Sequence, residues 1–160
     1  MGDIHQPLHA VSEVDNEYPK GDRGGNSEWI NPNIEGVGNL HSVWDSVIYQ
    51  LTGYETLPLS DDSWDFYTNT TTEYSTTYPV EEEQLQAGEF QVWADESLQM
   101  AKDYVYAGFT EHVEPTEAYK EAAKPVLEAR MVLAGARLAA LVSDIYGNSS
   151  AEELAALYLQ

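Results

Sequence analysis

Hydrophobic residues recur with helical spacing in two parts of the chain. The first part lies between residues 40 and 51, where the apolar residues are Leu40, Val43, Val47 and Leu51. Residues three or four positions apart share one face of an α-helix. Asn39 precedes this run and Gly53 follows it, and these residue types are common at helix starts and ends, respectively. We therefore predict a helix over residues 39–52.

The second helical part runs from about Val80 to the end of the sequence. Three glutamates at 81–83 suit the first turn of a helix, where negative charge is favourable. We expect a break at Gly108, a new start near Pro115, and a kink or restart at Pro125. Gly147 should end this helix, and a short last helix should cover residues 151–158.

The remaining segments have the composition of loops. Residues 11–38 are interrupted by Gly, Pro and Asn, and residues 54–79 are rich in Thr, Ser and Tyr. Strand signals are weak in both. The pattern as a whole predicts a mainly α protein without internal repeats.

Length and composition restrict the classes further. A chain of 160 residues is expected to form one domain. It contains no Cys, so any metal must be held by His, Asp or Glu. No apolar run approaches the roughly 20 residues of a membrane span, and the first residues, MGD, do not resemble a signal peptide.

The charge is strongly negative. The formal net charge is −21, and no Lys or Arg occurs between Gly24 and Ala101. A protein that binds polyanions through cationic side chains would show a basic patch. Either nucleic acid is not the ligand, or bound metal ions supply the positive charge. A solvated acidic surface accounts for most of the charge in either case.

Two short segments carry side chains that can bind a metal ion. His41 and Asp45 are four residues apart on the predicted helix, so one face presents both. Zinc accepts both ligand types, although a solvated surface pair would show the same spacing. The segment Gly2–His9 adds Asp3, His5 and His9.

The histidines are expected to differ in role. We predict that His9 binds metal with His41 and Asp45, and that His5 is a buried histidine that donates to the backbone. His112 lies beyond a predicted helix break and should be an ordinary surface residue. Between the two segments lies DRGGN at 22–26. Its paired glycines would let backbone approach a ligand closely, but the composition is also that of a plain turn.

The ordered motifs GDIHQPLH, DRGGN and NLHSVWD resemble the signature of the zinc-dependent class I nucleases, which are single-strand-specific nucleases and 3′-nucleotidases. Later segments agree, WADES at 93–97 and AGARLA at 134–139. The resemblance runs from Gly2 to about Leu141. It implies a helical zinc-nuclease fold, related to that of zinc phospholipases C, with three zinc ions in a cleft.

The resemblance also implies a role for each matching residue. His9, His41 and Asp45 would bind one zinc, and Asp3 would be the catalytic residue that bridges the other two. Asn26 and Gly25 would contact the substrate phosphate. His5 and Asp22 would lie behind the ligands. The implied reaction is hydrolysis of single-stranded DNA or RNA to 5′-nucleotides by a metal-activated water.

Other ligands of the family's zinc cluster have no counterpart in these 160 residues. We therefore interpret residues 1–160 as one partial nuclease domain, with metal motifs at 1–53 and C-terminal helices at 80–160. We expect one complete zinc site and weak or no activity. The isolated chain should also expose Ile4, Leu8, Val43 and Trp44. A second chain could supply the missing half.

Three alternatives remain open. The chain could be a non-catalytic helical module that keeps one structural zinc, a subunit of a split nuclease, or a phospholipase-like enzyme. The family resemblance implies a secreted or extracytoplasmic location and no membrane partner. Two short sequons, at Asn69 and Asn148, would be glycosylation sites only in that setting.

Overall fold

The computed structural model describes residues 1–51, 55–85 and 88–147. Its helices are α1 (Gly2–His5), α2 (Leu40–Asp45), α3 (Asp61–Thr77), α4 (Phe90–Met100) and α5 (Glu117–Gly147). Short 3₁₀ turns span Pro7–His9 and Glu82–Gln84, and a π-helical turn spans Ala101–Val105. The strands are β1 (Trp29–Ile34) and β2 (Val37–Asn39). The prediction of a mainly α fold is confirmed.

The start of the chain packs into the centre of the molecule. Helix α1 lies against α4 and α5, and the 3₁₀ turn Pro7–His9 lies against α4. The main core joins this turn to α2, the π-helical turn and α5; it contains Leu8, Ile30, Val37, Leu40, Val43, Trp44, Val47, Ile48, Ala101, Val105, Tyr119, Ala123 and Leu127. Trp44 donates through Nε1 to the Tyr119 hydroxyl at 2.8 Å, so the one polar atom of this buried indole is satisfied.

The sequence analysis predicts that four apolar residues near the candidate ligands are exposed, and this prediction is wrong for three of them. Leu8, Val43 and Trp44 are all at most 2% exposed, and Ile4 is half-buried. Leu8, Val43 and Trp44 share one core with residues of α5 and of the π-helical turn. This portion of the chain therefore closes a hydrophobic core of its own.

The sequence predicts an irregular loop at 11–38, but the structure has two strands in this segment. Strands β1 and β2 form an antiparallel hairpin, with Trp29 paired to Asn39 and Ile34 to Val37. Gly36 adopts a positive φ of 93° at its turn, a conformation that glycine tolerates. The hairpin ends directly at the first residue of α2, so it fixes where that helix begins.

Helix α2 begins where the sequence predicted but ends early. Asn39 is the N-cap, and its side chain accepts a hydrogen bond from the Ser42 amide at 2.8 Å. The Ser42 hydroxyl is 3.1 Å from the Asn39 amide nitrogen, which completes a capping box. The predicted end near residue 52 is wrong, because Val47, Ile48 and Tyr49 have positive φ values of 47°, 48° and 70°. Gly53 lies outside the described residues.

The segment predicted as irregular at 54–79 contains the 17-residue helix α3. Ser60 caps it by accepting from the Ser63 amide at 3.1 Å, and two aspartates occupy the first turn. Its hydroxyls bond back to carbonyls one turn earlier, as Thr72 does to Thr68 at 2.8 Å. These side chains therefore satisfy themselves along the helix instead of breaking it.

The C-terminal part is helical, as predicted. A break occurs around Gly108, whose φ is 78°, and α5 starts two residues after Pro115. Helix α5 runs through Pro125 without a restart. The predicted helix at 151–158 lies outside the described residues. None of the helices that the structure describes is long and apolar enough to cross a membrane.

An ionic network of two buried arginines and one part-exposed glutamate joins α1, α4 and α5. Glu96 of α4 accepts from Arg130 at 2.7 Å and from both terminal nitrogens of Arg137, each at 2.7 Å. Arg130 also donates to the carbonyl of His5 at 3.2 Å, and Arg137 lies 3.1 Å from the His5 ring nitrogen Nε2. Burial alone would raise the pKa of Glu96, but the two arginines outweigh it and lower that pKa.

Candidate metal centre

Two short elements bring three candidate ligands together. His9 ends the 3₁₀ turn that follows α1, and its position is fixed by the buried neighbour Leu8. His41 and Asp45 lie one turn apart on α2, as the sequence predicted. One ligand atom from each of the three lies within 4.8 Å of the others. Among the described residues, this is the one group of three or more His, Asp or Glu side chains that lie this close together.

The separations suit one ion. His41 Nε2 is 3.3 Å from Asp45 Oδ2, and His9 Nε2 is 3.8 Å from Asp45 Oδ1. Two ligands about 2.0–2.2 Å from a tetrahedral zinc ion lie roughly 3.3–3.6 Å apart, so these side chains need little movement to close around one. The two imidazole rings stack with centroids 4.9 Å apart.

The group opens to solvent. The His9, His41 and Asp45 side chains are 32%, 17% and 50% exposed. Three protein ligands facing solvent leave room for water or substrate, which distinguishes catalytic zinc sites from closed structural ones. A groove of about 340 Å³ begins beside Asp45, between α1, α2 and α5.

A backbone carbonyl sets the tautomer of His41. Its Nδ1 lies 2.7 Å from the carbonyl oxygen of Gly24. A carbonyl can only accept, so Nδ1 carries the proton and donates it. Nε2 is left with its lone pair directed toward Asp45 and His9. Metal-binding histidines commonly have such an acceptor behind them.

Asp22 holds the loop that supplies this carbonyl. Its carboxylate is fully buried. One oxygen accepts from the amide of Gly24 at 2.9 Å, and the other accepts from the amide of Gly25 at 2.6 Å and the Tyr106 hydroxyl at 2.7 Å. Burial raises the pKa of Tyr106, and its hydrogen bond to Asp22 raises it further. Tyr106 therefore stays a donor and fixes Asp22 in place.

The paired glycines let three segments meet at this loop. A Cβ atom on Gly24 would collide with the carbonyl oxygen of Leu8, and one on Gly25 would lie 3.2 Å from the amide nitrogen of His41. Both residues also have positive φ values, 64° and 76°. The loop thus packs against the turn that carries His9 and the helix that carries His41, and larger residues would separate them.

The other predicted site residues have varied positions. Asp3 is exposed on α1 and lies outside the ligand group. Asn26 is part-exposed and donates to the Arg23 carbonyl at 3.0 Å, and Gly25 is buried. His5 is buried, and its Nδ1 donates to the Met1 carbonyl at 3.0 Å. The roles assigned to these four residues in metal or substrate binding remain predictions.

Burial keeps His5 neutral. It lowers the pKa of His5, partly offset by the hydrogen bond to Met1, and Arg130 and Arg137 act in the same direction as burial. The His5 nitrogen facing Arg137 is therefore an acceptor. His112, the remaining histidine, is 70% exposed at its side chain, as expected of a surface residue.

Comparison with known proteins identifies the relatives of this chain. The family model described as S1/P1 Nuclease matches residues 1–147. The chain belongs to the S1/P1 nuclease family. Endonucleases 4, 2 and 3 of Arabidopsis thaliana are similar to it, with 32%, 30% and 33% identity over 157, 160 and 153 residues. These alignments cover 91–92% of this chain and 48–49% of each relative.

Membership of the S1/P1 nuclease family shows that the chain is related to nucleases. It also confirms the resemblance drawn from the three motifs. The chain spans about half the length of the curated relatives that it matches. The structure shows that all three motifs of this S1/P1 nuclease chain meet at one place, the His9, His41 and Asp45 group.

Sequence reasoning missed one residue that builds this place and three that form the ionic network joining α1, α4 and α5. The sequence predicts a close backbone approach to a ligand at Gly24 and Gly25, but it does not reveal that the Gly24 carbonyl is the partner of His41. Glu96 and Arg137 were quoted only as parts of family motifs, and Arg130 was not singled out. A signal was available for the arginines, since the chain has only seven Lys and Arg residues and two of the arginines lie on the otherwise apolar part of α5.

Proposed function

We propose that this chain carries one zinc site of a nuclease that hydrolyses single-stranded DNA or RNA to 5′-nucleotides. The observation that carries the proposal is the solvent-facing group of His9, His41 and Asp45, with its atoms within 4.8 Å of one another. The nitrogen and oxygen donor set suits zinc. Asp3 would contribute to the rest of the zinc cluster.

The residues of the site would have separate roles in metal binding and in phosphate binding. A zinc ion bound here would activate water for in-line attack and neutralise the phosphate. His41 and His9 would hold neutral nitrogens toward the ion, and the Gly24 carbonyl would keep His41 in the required tautomer. Asn26 is part-exposed on the same loop, and its side-chain amide donates one N–H to the Arg23 carbonyl. The second N–H of that amide would orient the phosphate.

The proposal also accounts for the charge of the chain. A net charge of −21 repels a polyanion, so binding through cationic side chains is unfavourable here. Metal charge confined to the open site would attract the phosphate locally. Binding should then depend on the ion far more than on surface residues.

We further propose that full activity needs the remainder of a family-length molecule, either on the same polypeptide or on a separate chain. The chain matches only about half of each relative, and it offers one complete ligand group among the described residues. The 160 residues alone should therefore be a weak catalyst. The family membership supports an extracytoplasmic location, where Asn69, exposed on α3, would be accessible for glycosylation.

A nuclease assay tests this function. Heat-denatured DNA would be incubated with the chain, alone and together with the part of Endonuclease 4 that the chain does not match. We expect zinc-dependent release of nucleotides that is much faster in the mixture, stops with EDTA and returns with added zinc. His41→Asn should abolish it, whereas His112→Asn, the same change at an exposed histidine, should have no effect.

Several outcomes would contradict the proposal. Activity that persists in EDTA or in His41→Asn would exclude the site, and inactivity in both samples would exclude the nuclease function. Hydrolysis of phosphatidylcholine in place of DNA would favour a phospholipase-like enzyme.

A further inference from the structure

Gln6 lies between the two elements that carry the candidate ligands. Its side chain is the N-cap of the 3₁₀ turn Pro7–His9, where its oxygen accepts a hydrogen bond from the Leu8 amide. At its other end, Nε2 donates to Asp45 Oδ1 at 2.9 Å, across 39 residues of sequence. One amide group therefore contacts both the turn that carries His9 and a ligand on α2.

The direction of this amide is dictated by its partners. A backbone N–H can only donate, so the Gln6 oxygen must face Leu8. A carboxylate oxygen accepts, so the Gln6 nitrogen must face Asp45. Exchanging the two ends would place donor against donor and acceptor against acceptor, and the amide is thus locked in one orientation.

The contact selects one oxygen of Asp45. Gln6 occupies Oδ1, which also lies 3.8 Å from His9 Nε2, while Oδ2 makes the closer approach to a candidate ligand nitrogen, 3.3 Å from His41 Nε2. Asp45 is half-exposed and would otherwise rotate freely about its terminal bond. With Oδ1 held by Gln6, Oδ2 would be the oxygen available to a metal ion, so Asp45 would bind it through a single oxygen.

We propose that Gln6 is a positioning residue of the metal centre, which orients the Asp45 carboxylate for single-oxygen coordination and ties it to the turn that carries His9. This inference rests on the zinc site proposed above. Gln6 would not contact the substrate and would act through Asp45 and His9. Removing a residue that hydrogen-bonds a metal ligand in this way typically changes metal affinity about 10-fold to 100-fold.

Two substitutions separate this role from simple capping. Gln6→Ser keeps a side-chain oxygen that suits an N-cap but is too short to reach Asp45. Gln6→Met keeps the length and loses both hydrogen bonds. The matched control is Gln91→Met, because Gln91 Nε2 donates to Asp95 Oδ1 at the same 2.9 Å on the exposed surface of α4.

The experiment measures zinc affinity by competition with a chromophoric chelator, melting of the metal-free chain, and the visible absorption of the cobalt-substituted centre. We expect Gln6→Ser and Gln6→Met to weaken zinc binding about 10-fold or more. Both should alter the cobalt spectrum, since the carboxylate geometry changes. Gln6→Ser should melt like the unaltered chain, and Gln91→Met should match it in all three measurements.

Three results would overturn the proposal. Unchanged zinc affinity and cobalt spectrum in both Gln6 variants would show that Asp45 needs no orientation. Weaker binding in Gln6→Met alone, with a lower melting temperature, would show that Gln6 is only a cap. A failure of the unaltered chain to bind zinc would remove the metal centre itself, and this outcome is distinct from the other two.

Discussion

At the scale of single residues, Asp22 shows how a buried charge is used to build a site. Its carboxylate accepts hydrogen bonds from the Ser12 hydroxyl and the Glu13 amide as well as from Gly24, Gly25 and Tyr106. These donors replace the water that the buried carboxylate has lost. Because the Gly24 carbonyl then meets His41, the state of Asp22 is transmitted to a candidate metal ligand.

We predict that Asp22→Asn destabilises the chain by about 3 kcal/mol, because the new NH₂ group faces donors and leaves them unsatisfied. Zinc affinity should fall as well, since the loop no longer holds its carbonyl toward His41. Urea unfolding and zinc titration measure the two effects. Asp15→Asn is the matched control. Asp15 accepts the Glu17 and Tyr18 amides through one oxygen, and asparagine retains such an oxygen. Equal effects in the two variants would contradict this role of Asp22.

At the scale of elements, the start of α2 was predictable and its end was not. The Asn39 cap and the placement of His41 and Asp45 on α2 follow from local sequence, and the structure confirms them. The early end of α2 follows from tertiary packing of Val47 and Ile48 in the core, which overrides their helical spacing. Helix α3 was missed because its hydroxyl side chains bond within the helix, a state that composition does not distinguish from a loop.

The packing of elements depends on contacts that sequence spacing does not reveal. Arg137 lies 3.1 Å from His5 across 132 residues of sequence, and neither residue carries a local sign of the other. The three candidate ligands were easier to predict. His41 and Asp45 lie one turn apart on a predicted helix, and His9 lies in a segment that resembles a family motif. Gln6 lies in that same motif, but its contact with Asp45 appears only in the fold.

We predict that Glu96→Gln loosens the packing of α1 against α4 and α5. It leaves two largely buried arginines without their shared carboxylate, which should cost about 3 kcal/mol at neutral pH. The pKa of Glu96 is lowered in the folded chain, so its contribution is present above the unfolded pKa and is lost as pH falls through the folded value. The difference between the two proteins in thermal unfolding should therefore shrink in acid.

Glu114→Gln is the control for that experiment, because Glu114 pairs with Lys120 at the surface and should contribute less than about 1 kcal/mol. A similar loss of stability in both variants, or a difference that grows in acid, would contradict the prediction for Glu96.

At the scale of the whole molecule, the chain combines a closed core with an open site. Leu40 and Trp44 are buried in one core with residues of α5 and the π-helical turn, and they lie on the same helix α2 that presents His41 and Asp45. The core thus supports the site from within, although the chain spans only half the length of its relatives. The high negative charge makes a bound cation the natural means of attracting phosphate.

Zinc titration by calorimetry tests the central claim most directly. Asparagine at position 41 can keep a donor toward the Gly24 carbonyl while removing the metal-facing nitrogen, so His41→Asn probes the ligand alone. The same substitution at His112 suits the positive φ of 62° there. We predict one zinc ion per chain for the unaltered protein and for His112→Asn, and no tight binding for His41→Asn. A stoichiometry near three, or tight binding that survives in His41→Asn, would contradict the account.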